Sequence, residues 1–354
     1  MEKILTVIVP TYNMEKYLDK CLTSLILSEE QMNQLEVLVI NDGSKDRSSE
    51  IAHGYEQCYP QTFRVIDKEN GNYGSCINRG LKEATGKYVK VLDADDCYEN
   101  KNLGQYLSFL QKTNVDLVIN DFVCTGTDGK IIRTVHYNLP TQVDFAFSRN
   151  ICRSMHLAIL QMHAVAYKLD VLRSMGYIQT EGISYTDQEW VFTPLMKVQT
   201  ICYFDKIIYR YLLGRPGQTM APEIRQRATG QEAICVLRKL KDLTAFRTDT
   251  DSLFLYLEKI VLNGLYNIYY AVLVEYPNLQ LSQLKEFDAK VRGINAFYAD
   301  KTNDFKIRGT GYHFVRKWRN TGLRDSSWQL KTALVVSKVY IAMRNFYVKY
   351  KYQK

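Results

Sequence analysis

Four short β-rich runs, ILTVIV (4–9), VLVI (37–40), FRVI (63–66) and YVKVL (88–92), recur through the first hundred residues, with helical patterns between them. Residues 14–27 place Tyr17, Leu18, Cys21, Leu22 and Leu25 on one helical stripe. Ser44 or Asp46 can cap a second helix running to about Tyr55, and YGSCINRGLKEAT reads as a third, ended by Gly86. Strand and helix alternating over short connections predict an α/β fold: a mostly parallel, Rossmann-like sheet with helices on both faces. Ligands of such sheets gather at the carboxyl ends of the strands. Three polar clusters occupy those ends: PTYN after the first strand, NDGS after the second and DADD after the fourth.

The DADD cluster is the most demanding. Asp93, Asp95 and Asp96 cannot all hold their charge cheaply unless a cation lies among them. In extended chain Asp93 and Asp95 share a side. Hard carboxylate oxygens suit Mg²⁺ or Mn²⁺, completed by waters and a phosphate-bearing substrate. The plainer alternative is a solvated acidic turn in which Asp96 caps a helix beginning near Glu99. NDGS alone is an ordinary turn; the functional reading gives Asp42 a ribose hydroxyl or a base N–H to bind. PTYN offers a strand-exit loop for a base, with Tyr12 available for stacking. The chain has no GxGxxG and no GxxxxGK[ST], which argues against a dehydrogenase and a P-loop nucleotidase.

Beyond residue 113 the pattern becomes mixed. VDLVIND and KIIRTVHY read as antiparallel strands about a TGTDGK turn, and ICYFDKIIYRYLL (201–213) as a further strand. Helical patterns cover 224–244, 251–275, 281–298 and 328–350. The Gly/Pro-rich stretch GRPGQTMAPE places a boundary near residue 220. The expected organisation is a catalytic domain over 1–220, divided into 1–100 and 101–220, and a helical domain over 221–354. The eight cysteines are scattered singly and form no CxxC pair, which fits a reducing compartment and not a zinc site. The apolar run at the N-terminus is too short for a signal peptide, and no uninterrupted apolar run reaches about 18–20 residues. The expectation is a cytoplasmic chain, at most peripheral on the inner face of a membrane.

The motifs in order, VIVPTYN, VLVINDGSKD and NGNYGSCINRGLKEATGKYVKVLDADD, resemble the nucleotide-sugar-binding half of family 2 glycosyltransferases, which have the GT-A fold. The likeness runs over roughly residues 3–100. A later segment, EGISYTDQEWVFTPL (181–195), is similar to the stretch that carries the family's catalytic carboxylate. The resemblance implies an inverting transfer from a nucleotide sugar, with UDP as nucleotide, to a glycan or lipid-linked acceptor, dependent on Mn²⁺ or Mg²⁺. It implies that the loop Pro10, Thr11 and Tyr12, with Asp42, holds uracil and ribose. Asn72 and Gly74 approach the nucleotide, Asp93 and Ala94 face ribose or sugar, and Asp95 binds the metal. Asp187 becomes the general base, with Glu189 a rival two residues on. One departure stands out: the family often has Glu-Asp where this chain has Thr186-Asp187. A sugar-nucleotidyltransferase and a non-catalytic nucleotide-binding relative are the alternatives. The first would carry a Gly-rich loop after strand one, which PTYNMEKY lacks.

The charge is uneven. The chain carries +8 overall, yet residues 315–354 hold ten Lys/Arg against one acid, Asp325, so the tail is +9 and the rest about −1. Such a tail points to an anionic partner. On a helical wheel of 328–350, Lys331, Lys338, Asn345 and Lys349 share one face, and Val336, Val339, Tyr340, Met343 and Tyr347 another. This pattern suits an anionic membrane surface. No nucleic-acid-binding module accompanies the charge, so nucleic acid is not an expected partner.

Overall fold

The computed structural model describes residues 2–141, 145–146, 159–218, 222–246 and 252–352. The chain divides into two compact units, one of Met1–Arg225 with Asp249–Tyr256, the other of Gln226–Thr248 with Leu257–Lys354.

The first unit is built on one ten-stranded sheet. Its strands are β1 (Leu5–Thr11), β2 (Leu35–Asn41), β3 (Phe63–Asp67), β4 (Tyr88–Val91), β5 (Cys97–Tyr98), β6 (Leu117–Thr125), β7 (Ile131–Val135), β8 (Phe145–Ala146), β9 (Val165–Lys168) and β10 (Thr200–Leu212). The main path is β3-β2-β1-β4-β9-β6-β10-β5. The first four strands are parallel, as expected from the alternation. All residues of β1 and β2 but Pro10 and Glu36 are buried, because helices cover both faces and no side of either strand meets water. The helices here are α1 (Leu18–Thr23), α2 (Glu29–Gln34), α3 (Ser48–Cys58), α4 (Asn72–Glu83) and α5 (Asn100–Lys112). The single helix expected over 14–27 is shorter, and α2 follows it as a separate element. Asp46 supports the start of α3 by accepting from the Ser48 N–H at 3.0 Å and the Ser48 hydroxyl at 2.5 Å.

Beyond β4 the sheet departs from the simple parallel pattern. β9 lies between β4 and β6 and runs antiparallel to both, whereas β6 and β10 are parallel. β7 folds back antiparallel on β6 about the expected turn. Lys90, in the middle of β4, is fully buried beside this inserted strand. Its ammonium donates to Asn120 Oδ1 at 2.9 Å, to the His163 carbonyl at 2.8 Å and to the Val165 carbonyl at 3.2 Å. Burial pushes its pKa well down, yet three acceptors match the three N–H bonds of the charged form. The lysine thus joins β4 to the segment leading into β9.

The second unit is helical. It contains the helices Leu281–Ile294, Ala296–Lys301, Phe314–Thr321 and Trp328–Tyr352 and most of Pro222–Ala245 and Ser252–Tyr270. Its centre includes an ion pair of Arg319 with Asp288, and the same guanidinium donates to Thr302 Oγ1 and the Ala299 carbonyl, each at 2.9 Å. No helix among the described residues is long and apolar enough to cross a membrane.

Candidate active site

The carboxyl ends of β1, β2 and β4 open into a cavity of about 370 Å³, lined in part by Pro10, Thr11, Tyr12, Asp42, Asn72, Asp93, Ala94, Asp95 and Asp187. This size suits a small-molecule ligand. Every site residue expected from the sequence lies there except Gly74.

At the first strand end, Thr11 is buried and its carbonyl accepts from the Asp42 N–H at 2.8 Å, so the PTYN and NDGS loops are joined through the backbone. Tyr12 is half exposed, with its ring free to cover a planar ligand. Asp42 is nearly fully buried and pairs with the Lys68 ammonium; its Oδ1 also accepts from the Gly71 N–H at 3.0 Å. Those contacts fix the carboxylate beside the start of α4.

Asn72 opens α4 with φ +66, a left-handed value that asparagine tolerates better than most residues. Gly74 has another task. A Cβ there would stand 1.9 Å from the Thr180 carbonyl oxygen, so the glycine lets α4 lie directly against the 180s segment. Neighbouring bonds hold the same junction: Asn78 Nδ2 donates to the Gln179 carbonyl at 2.9 Å, and the Gly182 N–H to the Gly71 carbonyl at 3.0 Å. Gly74→Ala is expected to force these elements apart, lowering the melting temperature by several degrees and impairing nucleotide binding. Thermal unfolding and UDP titration of that variant check this.

The three aspartates divide their work. Asp96 is buried and accepts from Tyr209 Oη at 2.6 Å and the Leu212 N–H at 2.7 Å, which ties the turn to β10. It does not cap the helix at Asn100. Asp93 Oδ1 accepts from Tyr73 Oη at 2.9 Å. Burial, then the charges of Asp95 and Asp187, push the Asp93 carboxyl up to about 7, with the Tyr73 bond working the other way. Asp95 pairs with Arg215, whose guanidinium also lies 5.5 Å from the centre of the Tyr17 ring. The GRPGQ loop therefore supplies a positive charge where a cation was expected.

The Asp93 shift has a consequence for stability. An ordinary aspartate titrates near about 3.9, so charging Asp93 costs folded-state stability progressively between that value and about 7. Asp93→Asn is therefore expected to raise the melting temperature at about pH 8 and to leave it nearly unchanged at about pH 4. Thermal scans at both pH values check the sign.

Asp187 begins the short helix Asp187–Trp190, directly after Tyr185 and Thr186, and lines the same cavity as Asp93. Glu189 does not share that position. It is fully buried and accepts from the Thr180 N–H at 2.9 Å and the Thr180 hydroxyl at 2.8 Å. Thr186 is equally buried and accepts from Gln179 Nε2 at 2.9 Å. Trp190 is core, packed edge-on against Tyr167 and Tyr177.

Several cavity residues escaped the sequence reading, Tyr73 and His163 among them. Tyr73 lies between the recognised Asn72 and Gly74. His163 comes from the weakly patterned middle of the chain, and its ring stacks on Tyr211 with centroids 4.4 Å apart. Burial, reinforced by the Lys90 charge, pushes that imidazole down to about 3, and its Nδ1 has no hydrogen-bond partner among the described residues. One ligand atom each of Asp93, Asp96 and His163 falls within 4.8 Å of the others. Two carboxylates, a neutral imidazole and the nearby Asp95 form a donor set that fits Mg²⁺ or Mn²⁺.

Comparison with known proteins gives this geometry a family. The model of "Glycosyl transferase family 2" matches residues 6–176. A glycosyltransferase of Mycoplasma genitalium, MG025, is 36% identical over 219 residues, spanning 61% of this chain and 70% of that protein. The chain belongs to glycosyl transferase family 2. The minor teichoic acid biosynthesis protein GgaB of Bacillus subtilis is 29% identical over 175 residues, covering 49% of this glycosyltransferase and 19% of GgaB. Among solved structures, residues 1–349 of Staphylococcus aureus TarS in complex with UDP-GlcNAc superpose with a TM-score of 0.54 at 21% identity, over 90% of this chain and 92% of that one. The shared fold is GT-A. As a family 2 member the chain is an enzyme that transfers sugars, which removes the nucleotidyltransferase alternative.

Proposed function

We propose that this glycosyltransferase moves a sugar from a UDP-sugar to a hydroxyl of a glycan or lipid-linked acceptor in surface polysaccharide synthesis, with inversion at the anomeric carbon. The observation that carries the reading is the meeting of Asp42, Asp93, Asp95 and Asp187 in one cavity at the strand ends, while Glu189 is consumed by Thr180. The naming of GgaB for teichoic acid synthesis supports the acceptor class.

In this reading Tyr12 covers the uracil ring and Asp42, beside Thr11, accepts from its N–H or from ribose. Asp93 faces ribose or sugar. A divalent cation, Mn²⁺ or Mg²⁺, held by Asp95 with Asp93 and His163 nearby, would supply positive charge against the diphosphate. Arg215, freed from Asp95, supplies a second positive charge from the GRPGQ loop at the cavity. Asp187 takes the acceptor proton as the oxygen attacks, and one displacement inverts the centre. The basic residues of 315–354 keep the enzyme at the anionic membrane that carries the acceptor.

The test is UDP release from a panel of UDP-sugars with Mn²⁺, with a lipid-linked glycan acceptor present or absent. Acceptor-dependent release supports the proposal. UDP binding without any turnover would favour a non-catalytic nucleotide-binding role.

A further inference from the structure

The terminal helix Trp328–Tyr352 is apolar on two opposite faces. One face carries Leu330, Ala333 and Ser337, all buried in the second unit. The other carries Trp328, Val335, Val339 and Met343, which recur at spacings of seven, four and four and therefore line up along one side. These side chains are 72%, 63%, 55% and 68% exposed, and Val336 beside them is 44% exposed. The stripe extends roughly 22 Å at the helical rise. A continuous outward stripe of this kind marks an interaction surface, unlike singly scattered apolar residues.

The charges around it indicate what covers it. Lys331 and Lys338 flank the stripe along one edge, one helical repeat apart, and both are exposed, as is Arg344. Three other cations of the tail are differently employed: Arg316 pairs with Asp304, Arg319 with Asp288, and Arg324 donates to the carbonyls of Val272 and Leu279. Between Trp328 and Arg344 there is no acid at all. A second copy packed antiparallel on this face would bring the lysines of both helices to the same edge. An anionic bilayer meets both halves of the pattern, with apolar side chains entering the acyl boundary and lysines at the headgroups.

We propose that the Trp328–Val335–Val339–Met343 face is the surface by which this chain lies on an anionic phospholipid bilayer. The helix lies in the interface and does not cross it. The inference rests on the transferase reading only in making this the lipid that carries the acceptor; the docking itself is independent of catalysis.

The chain offers its own probe. Of its three tryptophans, Trp190 and Trp318 are buried and Trp328 is 72% exposed, so a change in emission on adding lipid reports Trp328. Full-length chain is mixed with vesicles of phosphatidylglycerol and phosphatidylcholine, or of phosphatidylcholine alone, and both emission and flotation are read. The expected result is a blue shift and flotation with the anionic vesicles, weakened by salt. Val335→Ser with Val339→Ser should lower partitioning by roughly tenfold or more, and Lys331→Glu with Lys338→Glu should remove the preference for anionic lipid. All four positions are exposed, and unchanged thermal unfolding of both variants confirms intact folds. The proposal is overturned if wild-type chain does not float, or if the valine variant floats equally well. It is also overturned if the valine variant converts a dimer to a monomer in sedimentation, since the occupant would then be a second copy. UDP titration of the same preparations separates the two readings: lost flotation with UDP binding intact sinks the docking surface alone, and flotation without UDP binding sinks the donor assignment alone.

Discussion

Asp187→Asn is expected to lower sugar transfer by roughly 10²–10⁴-fold, the usual contribution of a positioned general base, while leaving UDP affinity nearly unchanged. Asparagine keeps the size of the side chain and loses its charge and its basicity. The segment carrying Asp187 is fixed independently of that carboxylate, through Glu189 to Thr180, Gln179 to Thr186 and Asn78 to Gln179. The substitution should therefore not loosen the loop. Glu189→Gln makes the informative contrast. An amide can accept from only one of the two Thr180 donors on its oxygen, so this variant should lose thermal stability and retain most of its per-molecule turnover. Turnover of both variants, measured with UDP titration and thermal scans, decides between the two carboxylates. Normal transfer by Asp187→Asn would remove Asp187 from the chemistry.

The second large effect concerns Asp95. Asp95→Asn is expected to abolish metal-dependent nucleotide binding, because an amide oxygen is a far weaker ligand for a hard cation than a carboxylate. The same change releases Arg215, whose partner in the structure is Asp95. Residual UDP binding in the variant should thus be insensitive to Mn²⁺ and chelator, carried by Arg215 and the base-binding loops. Calorimetric UDP titration with Mn²⁺ and with chelator measures both parts. Unaltered Mn²⁺ dependence in Asp95→Asn would move the cation to Asp93 and His163.

The strand-end clusters were readable from the sequence because they sit at the carboxyl ends of strands, where local pattern alone gives position. PTYN, NDGS and DADD needed only the knowledge that β1, β2 and β4 are parallel neighbours. What escaped depended on distant pairings. His163 reaches the cavity because β9 enters between β4 and β6 in the opposite direction, and a four-residue strand leaves little periodicity. Lys90 drew no notice within YVKVL; its acceptors come from Asn120 in β6, the His163 carbonyl ahead of β9 and Val165 in β9. Gly74 was located in the right helix, but its close approach to the Thr180 carbonyl, more than a hundred residues away, was not legible. Asp187 was singled out through the resemblance, and the two bonds from Thr180 to Glu189 became visible only in the structure. In the last helix the basic positions were legible, whereas the stripe joining Trp328 and Val335 to Val339 and Met343 required knowing which face the unit already buries.

The strand order also bears on how the molecule assembles. β1 to β4 need only the first 91 residues to form their parallel ladder, so that part of the sheet is available early during synthesis. β6 must wait for both β9 and β10, and its parallel partner Leu212 lies 87 positions beyond Thr125. Closing so long a loop is slow, and until it happens the edge of β6 that takes β10 stands open. The nascent sheet is therefore a template for wrong strand pairing; the short reversed β9 covers the free edge of β4, and β10 is the piece whose arrival ends the exposure of β6.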